Sequence, residues 1–566
     1  MKIMKMFRKS VIASFFVSLV MAVSVMAADA RTVAVVSIAD LDTTVQKLKA
    51  VATEAGFPDA MSQVEMMLPM MQGLNTRQPI GIVFQADDES FSGYGFLPIA
   101  DISAMPALAP LLGMGEKQPD GSILVPMMHP SLQSLYVKQS GKWVFISPAE
   151  LPKTLPSDPA KLLEGMDKEY LLGVKINVAS LPKQKTLDIM GQFRAMAEMG
   201  AQSESDIENI EATFKQLETV LSELKTLNYG IAINSGNDII LEVSAEAVGG
   251  SVMAADFQAM ASFKTNQIGF YQEDDSILAC LGTGVLNTVV RQQYISQLNG
   301  FFEGAREGVE EGDLGPDEIT AIQSVLDNVK AMLDSTLEKG KIDMGFTWQK
   351  NATILAGLTV EGGAKFQKAL EDSFVAVPEE IQEFVTINSE EYAGYKISTV
   401  AVPVAMMPPE SREGMSEDLA SRTLTLQIAV KDTAIALALG LDDAVLADLK
   451  KAIDASKTPA AVPQQVFVFT PANLVDFFTL IGPTAENESY DETMALVRSM
   501  PASAQITVTS AYTENSQKSK ATVNSQLLPA IGKVVGGFLK AREAAMQFGR
   551  DYYEDNPPQD FEFEDF

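Results

Sequence analysis

The chain has 566 residues, 74 acidic against 43 basic, a formal charge of −31 and 46% apolar side chains. A field of that sign repels nucleic acid and anionic membrane surfaces and favours cations and basic partners. One cysteine, Cys280, and one histidine, His129, exclude an intramolecular disulfide and every site that needs two histidines.

The opening residues, MKIMKMFRKSVIASFFVSLVMAVSVMA, place Lys2, Lys5, Arg8 and Lys9 ahead of an apolar stretch from Val11 to Val25. Val25 and Ala27 are small enough for a signal peptidase site, so residues 1–27 read as a secretory signal. An N-terminal anchor is the alternative, although the apolar stretch is short for a span of ~20 residues. No later segment reaches the ~18 uninterrupted apolar residues of a spanning helix. The mature chain is therefore expected to be periplasmic or secreted, with no integral membrane span after signal removal.

Residues 28–165 form the first expected α+β unit. A strand at 33–38 leads to helical segments near 41–55 and 59–73, then the strands IGIVFQA and GYGFLPI and a helix near 101–113. ILVP, SLYVKQ and KWVFIS add extra strands at 123–147. The second unit, 166–270, runs from YLLGVKINV through helices near 181–199 and 204–226 to a hairpin turning at Gly-Asn-Asp, then a helix near 250–262. The third, 271–375, repeats this with SILACL, helices near 284–306 and 315–338, a hairpin and a helix at 363–374. Residues 376–460 are a partial hairpin–helix unit, and 461–550 the last full unit, from VFVF to a helix near 526–548. The acidic aromatic tail DYYEDNPPQDFEFEDF, 551–566, is expected to be disordered, as a frayed end or a docking peptide. LPSDPAK at 155–161, the stretch 403–418 and ASKTPAAVPQQ at 455–465 read as connectors.

One pentapeptide recurs at the ends of these strands: SIADL, PIADI, SPAEL, NVASL and TPANL. Its fourth residue is Asp40, Asp101, Glu150, Ser180 or Asn473, four of which are good helix N-caps. The small Ala before it suits a tight strand-to-helix corner. The expected class is α+β: tandem β-α(α)-β-β-α units, antiparallel sheets covered by helices, and a ferredoxin-like order if each sheet is completed by the strand opening the next unit.

Catalytic motifs are sparse. His129 in PMMHPS has no G-x-S-x-G partner, so a loop or structural histidine is expected. Cys280 in ILACLG reads as a buried structural thiol. LGTGVLN lacks the Lys of a phosphate-binding loop and the third glycine of a dinucleotide fingerprint. The acidic runs QADDES, YQEDDS and EEGDLGPDE do not match the alternating ligand spacing of a calcium loop. No cofactor and no metal are expected. VEMMLPMMQGL places Met66, Met67, Met70 and Met71 on one helix face. Such a face either packs a core or contacts an apolar ligand.

The exported start, the repeated strand–Ala–cap–Leu corner and the helix-plus-hairpin units resemble large bacterial cell-envelope proteins with domains of unknown function, of the planctomycete-like type. That resemblance implies location and repeat architecture and brings no catalytic residues. The sequence reading is an exported, non-enzymatic protein with a binding or structural role, its partner an unidentified protein or apolar ligand. A carrier of lipid or another apolar ligand is the second reading, and a carboxylate-based hydrolase the third.

Overall fold

The computed structural model describes residues 31–536 except 68–72, 89, 100, 103–111, 130–131, 202, 311, 313–314, 376–381, 408–414, 416, 443 and 482–493. The expected signal, Met70 and Met71, most of the helix near 101–113, half of the 403–418 connector and the acidic tail lie outside the described residues.

The chain writes one unit four times: an opening strand, crossover helices, then a hairpin. Unit one comprises β1 (Arg31–Ile38), α1 (Leu41–Glu54), α2 (Ser62–Met67), β2 (Ile80–Ala86) and β3 (Phe91–Leu97). A meander follows, β4 (Glu116–Lys117), β5 (Ile123–His129), β6 (Leu132–Ser140) and β7 (Trp143–Ser147). Unit two is β8 (Leu172–Ile176), α3 (Lys183–Met199), α4 (Glu204–Glu223), β9 (Leu224–Ile233) and β10 (Ile239–Ala247), trailed by α5 (Val252–Ala261) and β11 (Lys264–Thr265). Unit three is β12 (Ser276–Val285), α6 (Thr288–Glu310), α7 (Pro316–Glu338), β13 (Lys341–Gln349) and β14 (Ile354–Thr359). After α8 (Gly363–Val375) comes a second meander, β15 (Val385–Tyr392), β16 (Tyr395–Pro403), β17 (Thr423–Lys431) and β18 (Ala434–Leu441), then α9 (Ala444–Ala455) and β19 (Ala460–Ala461). Unit four is β20 (Gln465–Phe469), α10 (Leu474–Ile481), β21 (Ile506–Tyr512) and β22 (Ser516–Val523), ending in a helix at 528–536. The α+β class and the tandem antiparallel units are as expected. The hairpin β15–β16 is not in the sequence reading; it turns through Ala393 and Gly394, both at positive φ.

Among the described residues twenty strands form one antiparallel sheet, and β11 and β19 form a separate pair. The first meander and unit one are paired in the order β4–β5–β6–β7–β3–β2–β1. From β1 the ladder continues β8–β9–β10–β22–β21–β20. It finishes β12–β13–β14–β18–β17–β16–β15. Read inward from either end, the order of parts is the same: meander, hairpin, opening strand, opening strand, hairpin. The chain is thus two topologically identical halves meeting at β10–β22. Because equivalent strands pair antiparallel there, the halves are related by an approximate two-fold axis through the seam.

This order departs from the ferredoxin-like one. In the ferredoxin-like order a single crossover helix returns the chain parallel to the opening strand, and the hairpin's first strand is not its neighbour. Two helical passes return it antiparallel, and β2, β9 and β13 lie directly against β1, β8 and β12. The expected pairing with the next unit's opening strand occurs for units one and three, as β1–β8 and β12–β20, and not for unit two, whose β10 pairs with β22.

The sheet is covered on both faces. In β18, Ala434, Ala436 and Ala438 pack under Val445, Leu449 and Ala452 of α9. Ile435, on the opposite face, packs under Met332 of α7 and Phe366 of α8. In the first half, the α9-equivalent face carries Tyr94, Phe96, Trp143 and Phe145 against Leu151, Leu163 and Met166. The segment 155–161 is therefore part of a core and not a free connector: Leu155 and Ala160 pack there, and Leu163 is fully buried.

Of the pentapeptide corners, SIADL behaves as expected: Asp40 accepts the Thr43 amide at 2.8 Å. The others do different work. After NVASL, α3 begins behind Pro182 without a side-chain cap. Glu150 is followed by no helix, and Leu151 lies in the core. Asn473 donates to the Ser276 carbonyl at 2.7 Å and fastens unit four to unit three. PIADI runs into undescribed residues.

The crossing between the halves is anchored by a buried carboxylate. Asp343 of β13 accepts Thr265 Oγ1 at 2.6 Å, the Asn266 amide at 2.8 Å and Thr359 Oγ1 at 3.0 Å. Gly345 and Gly357 leave the space that Phe270 fills; a Cβ on Gly357 would sit 2.3 Å from its ring.

Candidate functional site

Of the methionine face picked from the sequence, Met66 alone has a described side chain. Met66 is 68% exposed, and nothing described encloses it. Met67 is helical, while Met70 and Met71 lie outside the described residues.

The structure instead brings together residues from strands far apart in sequence. Direct cross-strand partners can be followed from β2 to β18: Ile80, Ile38, Leu172, Ile231, Leu241, Ala521, Val508, Phe467, Cys280, Phe346, Ala356 and Leu437. Direct partners share a sheet face. Leu172 alternates with neither but lines up with Val174 and Ile176, which pack with Leu181 and Leu221, so the row lies on the face crossed by the paired helices. All twelve are apolar and none is buried. Leu172, Ile231, Leu241 and Leu437 stay 38%, 39%, 47% and 37% exposed. At ~4.8 Å per strand the row runs about 50 Å. A second apolar row lies two residues along in the second half, including Val523, Ile506, Phe469, Leu278, Trp348 and Ile354.

Beside this stripe, at the seam between the halves, are two adjoining cavities of about 280 and 320 Å³. Met260, Thr283 and Tyr512 line both. They exist because β12 and β20 pair over Leu278–Cys280 only and then diverge. The helix α5 bridges the gap. Glu223 and Ser251 satisfy its first amides, at 2.8 Å to Met253 N and 3.1 Å to Ala254 N. Phe257 of α5 meets Tyr512 with ring centroids 6.3 Å apart. The smaller cavity also holds Glu223, Asp256, Gln216 and Gln517. Asp256 accepts Asn287 Nδ2 at 3.2 Å, and Gln517 donates to the Tyr512 hydroxyl at 3.2 Å. Burial pushes the Tyr512 hydroxyl pKa up.

The other candidates offer less. Cys280 sits in the stripe between Phe467 and Phe346, neither of them a base, and burial raises its thiol pKa. His129 is the last residue of β5 and pairs with Leu132. Gly282 and Gly284 belong to β12 and form no phosphate loop; a Cβ on Gly282 would lie 2.8 Å from Met344 Cγ. In the acidic turns, Asp88 meets Arg31 at 3.4 Å and Asp275 meets Lys350 at 2.7 Å. Among the described residues no group of three or more His, Cys, Asp or Glu side chains could hold a metal ion. In a third cavity, of about 380 Å³ beside the α1 N-terminus, Lys47 donates to the Ile233 carbonyl at 2.5 Å and Arg77 meets Asp42 at 3.5 Å.

Comparisons with protein-family models, with curated proteins and with solved structures gave no match. No helix among the described residues is long and apolar enough to cross a membrane.

Proposed function

We propose that this is an exported, non-enzymatic binding protein that holds a hydrocarbon-chain ligand against the helix side of its sheet. The uninterrupted apolar row over twelve strands carries the reading, because soluble proteins seldom leave so long an apolar surface half open without a use for it. Full burial of one such side chain is worth about 2 kcal/mol, so covering the open two-fifths of Leu172, Ile231, Leu241 and Leu437 contributes roughly 3 kcal/mol. A row one or two residues wide suits a chain better than a folded partner. The seam cavities supply the few polar groups that would orient it.

The test is native mass spectrometry of the mature protein from its own host, followed by solvent extraction. Cys280 adds an internal reporter, since it lies in the row: a bound chain should slow its labelling by maleimide. A stoichiometric apolar molecule that protects Cys280 is the expected result. A ligand-free mass, together with unchanged Cys280 labelling when long-chain amphiphiles are added, would overturn the proposal.

A further inference from the structure

This inference rests on the reading of the stripe as a hydrocarbon site. The geometry points to a cationic head group: we propose that the ligand is an amine-bearing amphiphile whose chain lies on the stripe and whose head enters the smaller seam cavity. Among the described residues two carboxylates, Glu223 and Asp256, line that cavity, and no Lys or Arg does. Among the described residues neither acid forms an ion pair. Met253 N holds Glu223 and Asn287 Nδ2 holds Asp256, so both are oriented in advance, with no positive charge paired to either among the described residues. Phe257 and Tyr512 add aromatic faces that attract a cation. A carboxylate or phosphate head would meet repulsion from both acids.

The cavity and the stripe share strands. Tyr512 is four residues along β21 from Val508, and Gln517 four along β22 from Ala521, a step of about 13 Å. Between them Ser510 and Ser519 meet at 3.1 Å, a polar pair where the head would give way to the chain.

The experiment uses the mature full-length protein and two probes of equal chain length, dodecylamine and dodecanoate, below their micellar concentrations. Affinity is read by calorimetry and by protection of Cys280. The amine should bind at least tenfold more tightly. Glu223→Gln with Asp256→Asn keeps both hydrogen-bond acceptors and should erase that preference. Glu303→Gln with Glu307→Gln, exposed on α6, controls for the overall charge and should leave it intact. Equal binding of the two probes, or a preference that survives in the cavity variant, overturns the head-group assignment and leaves the sheet-face reading standing. Failure of both probes to bind or to protect Cys280 overturns the sheet-face reading itself.

Discussion

Replacing Asp343 should unfasten the crossing between the two halves. The carboxylate is 4% exposed and accepts three hydrogen bonds, from Thr265, Asn266 and Thr359. Bonds to a charged group contribute about 1.5–3 kcal/mol each, and a buried amide left without an acceptor costs about 1–3 kcal/mol. Relief of the carboxylate's own desolvation offsets part of this. Asp343→Ala should therefore destabilise by about 3–5 kcal/mol, and Asp343→Asn, which retains one acceptor oxygen, by about 1–2 kcal/mol. The two tryptophans provide the assay, since Trp143 lies in the first half and Trp348 in the second. Trp348 abuts Phe477 at 4.9 Å, so unfolding should change its emission. In a Trp143→Phe background, the Ala variant should lower the urea midpoint by roughly 1 M for a slope of about 3–4 kcal/mol/M. A shift below about 0.3 M would refute the view that this carboxylate holds the crossing.

Gly532→Ala should lower the melting temperature through a strain of about 1–3 kcal/mol, because its Cβ would fall 1.7 Å from the Ala55 carbonyl; an unchanged melting temperature would show that the helix at 528–536 does not pack on the end of α1. Leu241→Asp, at a position 47% exposed, should leave folding by circular dichroism intact yet weaken binding of a twelve-carbon amphiphile at least tenfold. Acid stability should depend on Asp120, whose carboxyl is held at about 2 by the Ser122 hydroxyl and amide, with Lys138 adding to the effect. Its folded value lies below the ~3.9 of an unfolded chain, so its contribution is complete above about pH 4 and fades as pH falls towards 2. Asp120→Asn should then unfold with a shallower dependence on pH across that window, as read from urea midpoints at pH 5, 4, 3 and 2.5; an unchanged slope would count against the assignment. Glu371, Asp442 and Asp454 are shifted the same way, by Asn388, by Thr423 and by Lys457 in turn, and add to the same acid limb.

The local units were legible because their signals are local. The β9–β10 turn carries Asn237 at positive φ, as its Gly-Asn-Asp sequence implies, and the long helices α6 and α7 follow from their apolar period. Sheet order was less so. Whether β2 or β3 lies beside β1 depends on how many times the helices cross, and no single strand records that. The stripe was hidden for another reason. Strands such as β18, AIALALGL, are apolar on both faces, so alternation cannot say which residues stay open. Met253, Phe257 and Met260 belong to a helix that was expected near 250–262, but their role depends on β12 and β20 separating, an event between segments nearly two hundred residues apart. The methionines at 66–71 drew attention by composition and helical spacing, and neither reports enclosure.

The seam has a consequence for biosynthesis. Ile239 of β10 pairs with Val523 of β22, so the first half emerges from the ribosome with one edge of its last strand open until roughly 280 more residues are made, about 15–60 s at ordinary elongation rates. Over that interval Leu241 and Val243 stand on a bare edge that a second nascent chain could join in place of β22. Glu242 and Glu246, facing the other way on the same strand, would repel such a copy and later meet Lys520 and Ser516 in its place. An edge that tolerates waiting is what a duplicated sheet needs if its halves are to find each other within one molecule.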